Sequence, residues 1–384
     1  MKYIRVQSIN SIYINHLLCL ASEIRINMKV LFFIVYPEIN AGSRYRVYKY
    51  LHYLEKENIE YKVCPPMSNT LFKYLYQTKN PIKKILFYFI TYLVRIKDLT
   101  KVKDYDIIFI HQGLCYFGPP VLEYLIAKLN NNIIYDIDDA HFAKPIFATG
   151  IAARFHDRDR IAKLCKISKQ VVVSVNYIKQ YVQKYNPNVT VIPTSIDIQR
   201  YTLKNYKVKY EDSVIIGWTG TASGLIYLKD LEDVFQKLSQ LYNIKLKIIS
   251  SKKIEFKEVN VINCKWSLKN EITDLQSIDI GVMPLPNTDF AKGKGGFKII
   301  QYMGVGVPVV CSPVGVNAEI VQDGINGFLA NTKEEWIEKL SLLIENESLR
   351  EIIGRRGRET IKDKYTIEVN APKFIQVIKR NCLQ

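Results

Sequence analysis

From Asp279 to Phe328 the chain reads DIGVMPLPNTDFAKGKGGFKIIQYMGVGVPVVCSPVGVNAEIVQDGINGF, and no other stretch restricts the fold as much. An apolar run at 280–285, closed by Pro284 and Pro286, predicts a buried strand. Lys292-Gly293-Lys294-Gly295-Gly296 follows, two ammonium groups among three glycines, where the backbone can approach an anion closely. Phe297, Ile300 and Met303 are spaced as the buried stripe of a helix starting near Gly296, with Lys298 and Gln301 on a neighbouring face. Gly304 and Gly306 end that helix, 307–310 reads as a second buried strand, and Gly315 opens a turn before a helix carrying Glu319. Two successive strand-to-helix turns are where an open parallel sheet binds phosphorylated ligands, because amide N–H groups and positive helix ends converge there. The segment predicts a nucleotide pocket with Lys298 in reach of an anion.

The same alternation extends over the chain after Met28, which predicts an α/β fold of two doubly wound parallel sheets. Strands are expected at 30–35, 61–64, 107–110, 133–137, 170–174 and 189–192, with helices at 44–57, 120–129, 153–166 and 176–184. A second series places strands at 214–218, 245–249, 259–263, 278–283 and 307–311 and a helix at 228–241, followed by helices at 334–345, 349–364 and 371–380. Residues 1–27 carry Lys2 and Arg5, but Asn10, Asn15 and His16 interrupt any apolar run, so a poorly packed extension or an upstream mis-start is expected there.

Seven cysteines are scattered without metal-ligand spacing, which predicts reduced thiols in a cytoplasmic protein. The net charge of +17 points to anionic partners or to a lysine-rich composition bias. Basic and aromatic residues interleave at 73–103. The apolar run 85–96 within that region falls short of the about 20 residues that cross a bilayer. Two readings stand for it. One is a long core helix of the first domain with a solvated basic face; the other is contact with an anionic membrane surface. In the second, Phe87, Tyr88, Phe89 and Tyr92 are buried in the interface and Lys83, Lys84, Arg95 and Lys97 lie near lipid phosphates. Nothing resembles a nucleic-acid reader motif, so no nucleic-acid partner is expected.

Polar candidates gather near the ends of first-domain strands. Gly42 lies in the loop after the first strand, just before a helix expected to open with Ser43 as N-cap. Arg44 and Arg46 on that helix are candidates for a phosphate, or else surface arginines of a helix start. Asp136-Ile137-Asp138-Asp139-Ala140-His141 ends another strand, and His111, a catalytic candidate or a structural histidine, ends the strand before it.

Gln301-Tyr302-Met303, Gly306-Val307-Pro308-Val309-Val310, Gly315, Glu319-Ile320-Val321 and Asp323-Gly324 through Gly327-Phe328 occur in a recurring order. That order resembles the donor-binding half of retaining, GT-B-fold glycosyltransferases of family 4. Ile192-Pro193-Thr194-Ser195-Ile196-Asp197 is similar to the linker that follows the first domain there, with Ser195 in the usual glycine position. The resemblance implies a GT-B architecture of two Rossmann-like domains facing across a cleft. The ranges expected are 28–195 for an acceptor domain, 196–212 for a linker, 213–365 for a nucleotide-sugar domain and 366–384 for a helix crossing back.

It also implies a metal-independent transferase without cofactor, moving a sugar from a nucleotide-diphosphate sugar to a cell-surface polysaccharide or glycoconjugate with retention of configuration. The acceptor is expected to be a carbohydrate or a lipid-linked one, at the inner face of the cell membrane. Donor contacts fall on Gly220, Thr221, Lys292, Lys294, Gly295, Gly296, Phe297, Lys298, Gln301 and Glu319. Catalytic contacts fall on Asp138, Asp139, His141 and His111, and acceptor or phosphate contacts on Gly42, Arg44 and Arg46. The acidic cluster has a second reading, an Asp-x-Asp holding a divalent cation in a GT-A enzyme. The nucleotide-type turns lie far downstream of it, which favours the GT-B arrangement.

Two departures stand out. The family's usual glutamate pair, separated by seven residues, falls on Gly293 and Gln301, and the usual Arg and Lys after the first strand of the second domain are missing from 217–221. Lys292, Lys294 and Lys298 are therefore expected to neutralise the diphosphate. The missing carboxylates also admit a catalytically weak or inactive nucleotide-sugar-binding relative.

Overall fold

The computed structural model describes residues 28–75, 80–115, 118–143, 157, 159–208 and 212–382. The expected extension at 1–27 and the beginning of the helix expected from 153 lie outside the described residues. The first lobe runs β1 (Lys29–Ile34), α1 (Ala41–Arg46), a 3₁₀ turn (Tyr48–Tyr50), α2 (Leu51–Lys56), β2 (Glu60–Cys64), α3 (Asn69–Leu75), α4 (Pro81–Leu99) and β3 (Ile107–His111). It continues with α5 (Val121–Leu129), β4 (Ile133–Ile137), α6 (Arg160–Ile167), β5 (Gln170–Val173), α7 (Asn176–Val182) and β6 (Val189–Val191). Its six strands pair in parallel in the order β2-β1-β3-β4-β5-β6.

The second lobe runs β7 (Val214–Thr219), α8 (Leu225–Lys229), α9 (Glu232–Leu241), β8 (Ile244–Ile249), β9 (Val261–Cys264), α10 (Glu271–Gln276) and β10 (Ile280–Met283). Then come α11 (Asp289–Lys292), α12 (Phe297–Gly304), β11 (Val309–Cys311), α13 (Asn317–Ile320), β12 (Phe328–Leu329), α14 (Lys333–Glu345), α15 (Glu347–Lys364) and α16 (Ile367–Cys382). Six parallel strands again form one sheet, in the order β12-β11-β10-β7-β8-β9. The central strands are buried on both faces, as Leu31 to Ile34 of β1 and Ile107 to Ile110 of β3 show. Strands of that kind read as unbroken apolar runs, which is why they stand out in the sequence.

Strand order reverses between β1 and β3 in the first sheet and between β7 and β10 in the second. Beyond the carboxyl ends of such switch points lies the ligand crevice of a doubly wound sheet. The two crevices face each other. Across them Tyr45 packs on Phe297 with ring centroids 4.6 Å apart, and Asn176 Nδ2 donates to Glu319 Oε2 at 3.0 Å. The last helix, α16, packs on the first lobe, where Phe374 stacks with Tyr50 at 4.6 Å and lies 5.5 Å from Phe109.

Several elements differ from the sequence expectation. The helix expected at 44–57 is two helices with a 3₁₀ turn between them, and it starts earlier, capped by Asn40, whose side chain accepts from Gly42 N at 2.9 Å. Ser43, expected as the cap, instead donates to the Tyr36 carbonyl. The reason is burial: Ser43, Arg44, Tyr45 and Arg46 are all enclosed, whereas α2 buries only Leu54, so one amphipathic helix could not serve both environments. The helix expected at 228–241 is likewise split into α8 and α9.

The 73–103 region needs a correction. Phe87 packs in the core against Phe72, and Arg95 is fully buried, donating to the carbonyls of Cys64 and Leu114 at 2.8 and 3.0 Å and to that of Ile34. Arg95 thus satisfies carbonyls at and beyond strand ends and is out of reach of lipid. The opposite face of α4 remains apolar and exposed.

Candidate active site

The glycine-rich loop between α11 and α12 forms the second-lobe wall of the cleft. Gly296 caps α12 with φ +65°, and a Cβ there would lie 2.8 Å from Val316 and Ile320, so the turn requires glycine. Gly293 packs so closely on Ala140, just beyond β4, that any side chain would overlap it. Gly295 faces Thr194, Ser174 and the Asp138 carbonyl. Lys298 projects from the first turn of α12 beside Gly220, its ammonium 5.2 Å from the Trp218 ring centroid, and Lys294 lies 4.6 Å from that of Phe290.

These lysines act on Asp139 of the opposite lobe. Burial, and then the charge of Lys294, push the Lys298 ammonium down to about 8, with Asp139 opposing. Burial pushes the Asp139 carboxyl above its ordinary value; Lys294 opposes this and the Asp138 charge adds to it. Lys292 does not join them. Its ammonium sits 4.0 Å from Asp289 of its own helix.

On the first-lobe wall, Asp136 anchors a buried cluster. Arg46 grips both its oxygens through Nε and Nη2, and His111 Nδ1 lies 2.7 Å from Oδ2. Burial alone would raise the Asp136 carboxyl, yet Arg46 and His111 outweigh it and hold the group below its ordinary value. An ionised Asp136 requires a proton on His111 Nδ1, which leaves Nε2 facing Gly42. Arg46 is therefore a correction to the phosphate-binding set: its fork is filled by Asp136. Asp138 Oδ1 accepts from Gln112 Nε2 at 2.6 Å, and Oδ2 lies beside Gly42. Gln112 sits at φ +63°, a left-handed conformation that a non-glycine residue seldom adopts and that tends to mark functional positions. His141 follows, its amide donating to the Asp139 carbonyl.

Other expected contacts lie differently. Thr221 bonds Ser223, Glu319 holds Asn176, and Phe297 packs on Tyr45 with the rings tilted by 53°. Gln301 is buried, with Nε2 donating to Tyr201 Oη at 2.9 Å and Glu271 Oε1 at 3.3 Å. Glu271 also accepts from Tyr45 at 3.3 Å and from Arg200 at 2.8 Å, so one carboxylate ties both lobes and the linker. A carboxylate only accepts, which fixes the Gln301 amide nitrogen toward it and leaves the carbonyl oxygen as the other end. Glu271, Gln112 and Trp266 were absent from the sequence reading. The positive φ of Gln112 and the long-range partners of Glu271 have no local sequence signal.

Residues 204–360 match the family described as Glycosyl transferases group 1. By sequence the chain is similar to the capsular polysaccharide biosynthesis glycosyltransferase CapM of Staphylococcus aureus, 26% identical over 197 residues covering 45% of this chain. The match spans 50% of that relative, about half its length. By structure it is similar to a glycosyltransferase from Rickettsia africae ESF-5, with a TM-score of 0.65 and 15% identity over 93% of this chain and 99% of that one. It is also similar to Anabaena Alr3699/HepE in complex with UDP and glucose, with a TM-score of 0.64 and 13% identity over 92% and 100% of the two chains. At such identities the structural likeness speaks for the fold. The chain thus carries a glycosyl transferases group 1 domain over residues 204–360, set in a two-sheet frame of the GT-B type.

Proposed function

We propose that this chain transfers a sugar from a nucleotide-diphosphate sugar to a polysaccharide or glycoconjugate acceptor of the cell surface, with retention of configuration and without a metal. The observation that carries this reading is the convergence of Lys294, Lys298 and the amides opening α12 on one side of the cleft with Asp138, Asp139 and His111 on the other. As the sugar–phosphate bond breaks, negative charge grows on the diphosphate, and two ammonium groups with a helix N-terminus stabilise it in a partly desolvated site. The cationic sugar faces the Asp138 and Asp139 carboxyls. His111, its Nδ1 proton held by Asp136, offers Nε2 to a hydroxyl. The Gln301 carbonyl is the acceptor left for a ribose hydroxyl. Retention follows if the departing diphosphate takes the acceptor proton on the same face, so the enzyme needs no nucleophile. Contact between the lobes at Gly293 and Ala140 keeps water from the reacting carbon.

The test is release of nucleoside diphosphate by the full-length chain from a panel of nucleotide sugars, in the presence of chelator, with the anomeric configuration of the product read by NMR. Binding without turnover would favour the second reading, a weak or inactive nucleotide-sugar-binding relative, which the glutamine at 301 and glycine at 293 support. Absence of both binding and turnover across the panel would sink the proposal.

The same reading extends to a lipid-linked acceptor at an anionic membrane surface. No helix among the described residues is long and apolar enough to cross a membrane. Yet α4 exposes Ile82, Ile85, Phe89 and Leu93, and the adjoining α5 exposes Val121 and Leu125. Lys83 and Lys97 flank this surface, which suits an interface of apolar chains and phosphates. Co-sedimentation with phosphatidylglycerol vesicles but not phosphatidylcholine vesicles is expected, and equal recovery with both would count against it.

A further inference from the structure

Helix α1 carries two arginines two residues apart, and both are almost wholly buried: Arg44 is 4% exposed and Arg46 3%. Their circumstances differ in one respect. Arg46 uses Nε and Nη2, the edge of the guanidinium where two N–H bonds point the same way, to take both oxygens of Asp136. Arg44 presents the same edge, and neither Nε nor Nη2 meets an acceptor among the described residues. Only Nη1 reaches a carbonyl, that of Ile39, at 3.4 Å. The segments outside the described residues contain just two acidic residues, Glu23 and Glu211.

A guanidinium stays protonated under all ordinary conditions, so a buried one cannot escape the desolvation cost by neutralising. The surroundings hold it in place. Its Cζ lies 5.0 Å from the centroid of the Tyr45 ring and 5.9 Å from that of Trp266. Trp266 follows β9, so Arg44 lies where loops beyond the carboxyl ends of both sheets meet. It also shares its helix with Gly42, which abuts Asp138 and His111.

We infer that the Nε/Nη2 edge of Arg44 receives an oxyanion of a substrate, phosphate or carboxylate, in the bidentate geometry that Arg46 already displays. Arg44 belongs to the first lobe and the lysines of the glycine-rich loop to the second, so this edge would seat a negative group from the opposite side while Trp266 covers it from the other lobe. Only the source of the anion rests on the transferase reading: it is a phosphate of the donor or an acidic group of the acceptor.

The test uses the full-length chain with Arg44→Met and Arg44→Lys, three probes (inorganic phosphate, UDP and geranyl phosphate), titration calorimetry and thermal unfolding. Wild type is expected to bind at least one probe, with affinity at least tenfold weaker in both variants, because lysine keeps the charge but lacks the fork. Loss confined to UDP identifies the donor as the source. Loss on geranyl phosphate with UDP unchanged identifies the acceptor. Without probe, Arg44→Met is expected to melt at or above the wild-type temperature, since it removes a buried charge lacking a protein partner. If Arg44→Lys binds every probe as wild type does, or if wild type binds none, the clamp is overturned. Equal UDP binding by all three proteins, with no loss on the other probes, overturns it while leaving the donor reading intact.

Discussion

The two walls of the cleft are charged in opposite styles. On the first lobe, Asp136, Arg46 and His111 neutralise one another inside the protein, and Gln112 holds Asp138. On the second, Lys294 and Lys298 rise from the glycine-rich loop and the helix turn after it, with aromatic rings for neighbours, the charge of Asp139 felt across the cleft, and no ion pair within 4.0 Å among the described residues. Around Asp136 the first wall is a finished network that fixes geometry. The other keeps its charge for something that arrives.

Substitutions should separate the styles by what they damage. Asp136→Ala leaves Arg46 and His111 buried without their partner, so a loss of about 3–5 kcal/mol in urea unfolding is expected. If instead that variant unfolds like wild type, the first wall is not the rigid one. Lys298→Gln should do the reverse, lowering donor turnover by about 10²–10³-fold while leaving the fold intact.

Lys298 also predicts a pH dependence. Its folded-state value of about 8 lies below the ordinary 10.5, so the folded chain releases this proton more readily than the unfolded one. Its contribution makes stability rise with pH between those two values, while the cation available to the diphosphate is lost over the same window. Donor KM should therefore climb as pH passes about 8 in wild type, and stay flat in Lys298→Gln. An unchanged wild-type KM between pH 7 and pH 9 would place Lys298 outside the donor site.

Where the walls touch, Gly293→Ala inserts a methyl against Ala140. Overpacking of that kind costs about 1–3 kcal/mol, expected to appear as reduced turnover and a wider interlobe distance in small-angle scattering. Smallest of all, Phe89→Ser with Leu93→Ser on α4 should shift stability by no more than about 0.5 kcal/mol per site, since both are exposed, while abolishing recovery with anionic vesicles.

Much of the architecture was readable in the chain because parallel strands covered on both faces appear as apolar runs, and the glycines after β10 punctuate the turn that opens α12. What stayed hidden depends on distance. Arg44 and Arg46 look equivalent in a sequence, and only the partner supplied by β4 distinguishes them. Glu271 belongs to an ordinary short helix until the fold brings Tyr45 and Arg200 to its oxygens. The exposed aromatic segment could be divided only once α4 was packed, with Phe87 and Arg95 inward and Phe89 outward. Local pattern reports which face of an element is buried; it does not report what lies opposite.

The seating of α16 has an implication for biogenesis. Ile367, Phe374 and Ile378 complete the same apolar cluster as Val30, Phe32 and Ile107. The first lobe therefore cannot close its interior until α16 has left the ribosome. During synthesis it must wait with an uncovered surface, and nascent chains stalled before Ile367 should engage chaperones more strongly than released ones.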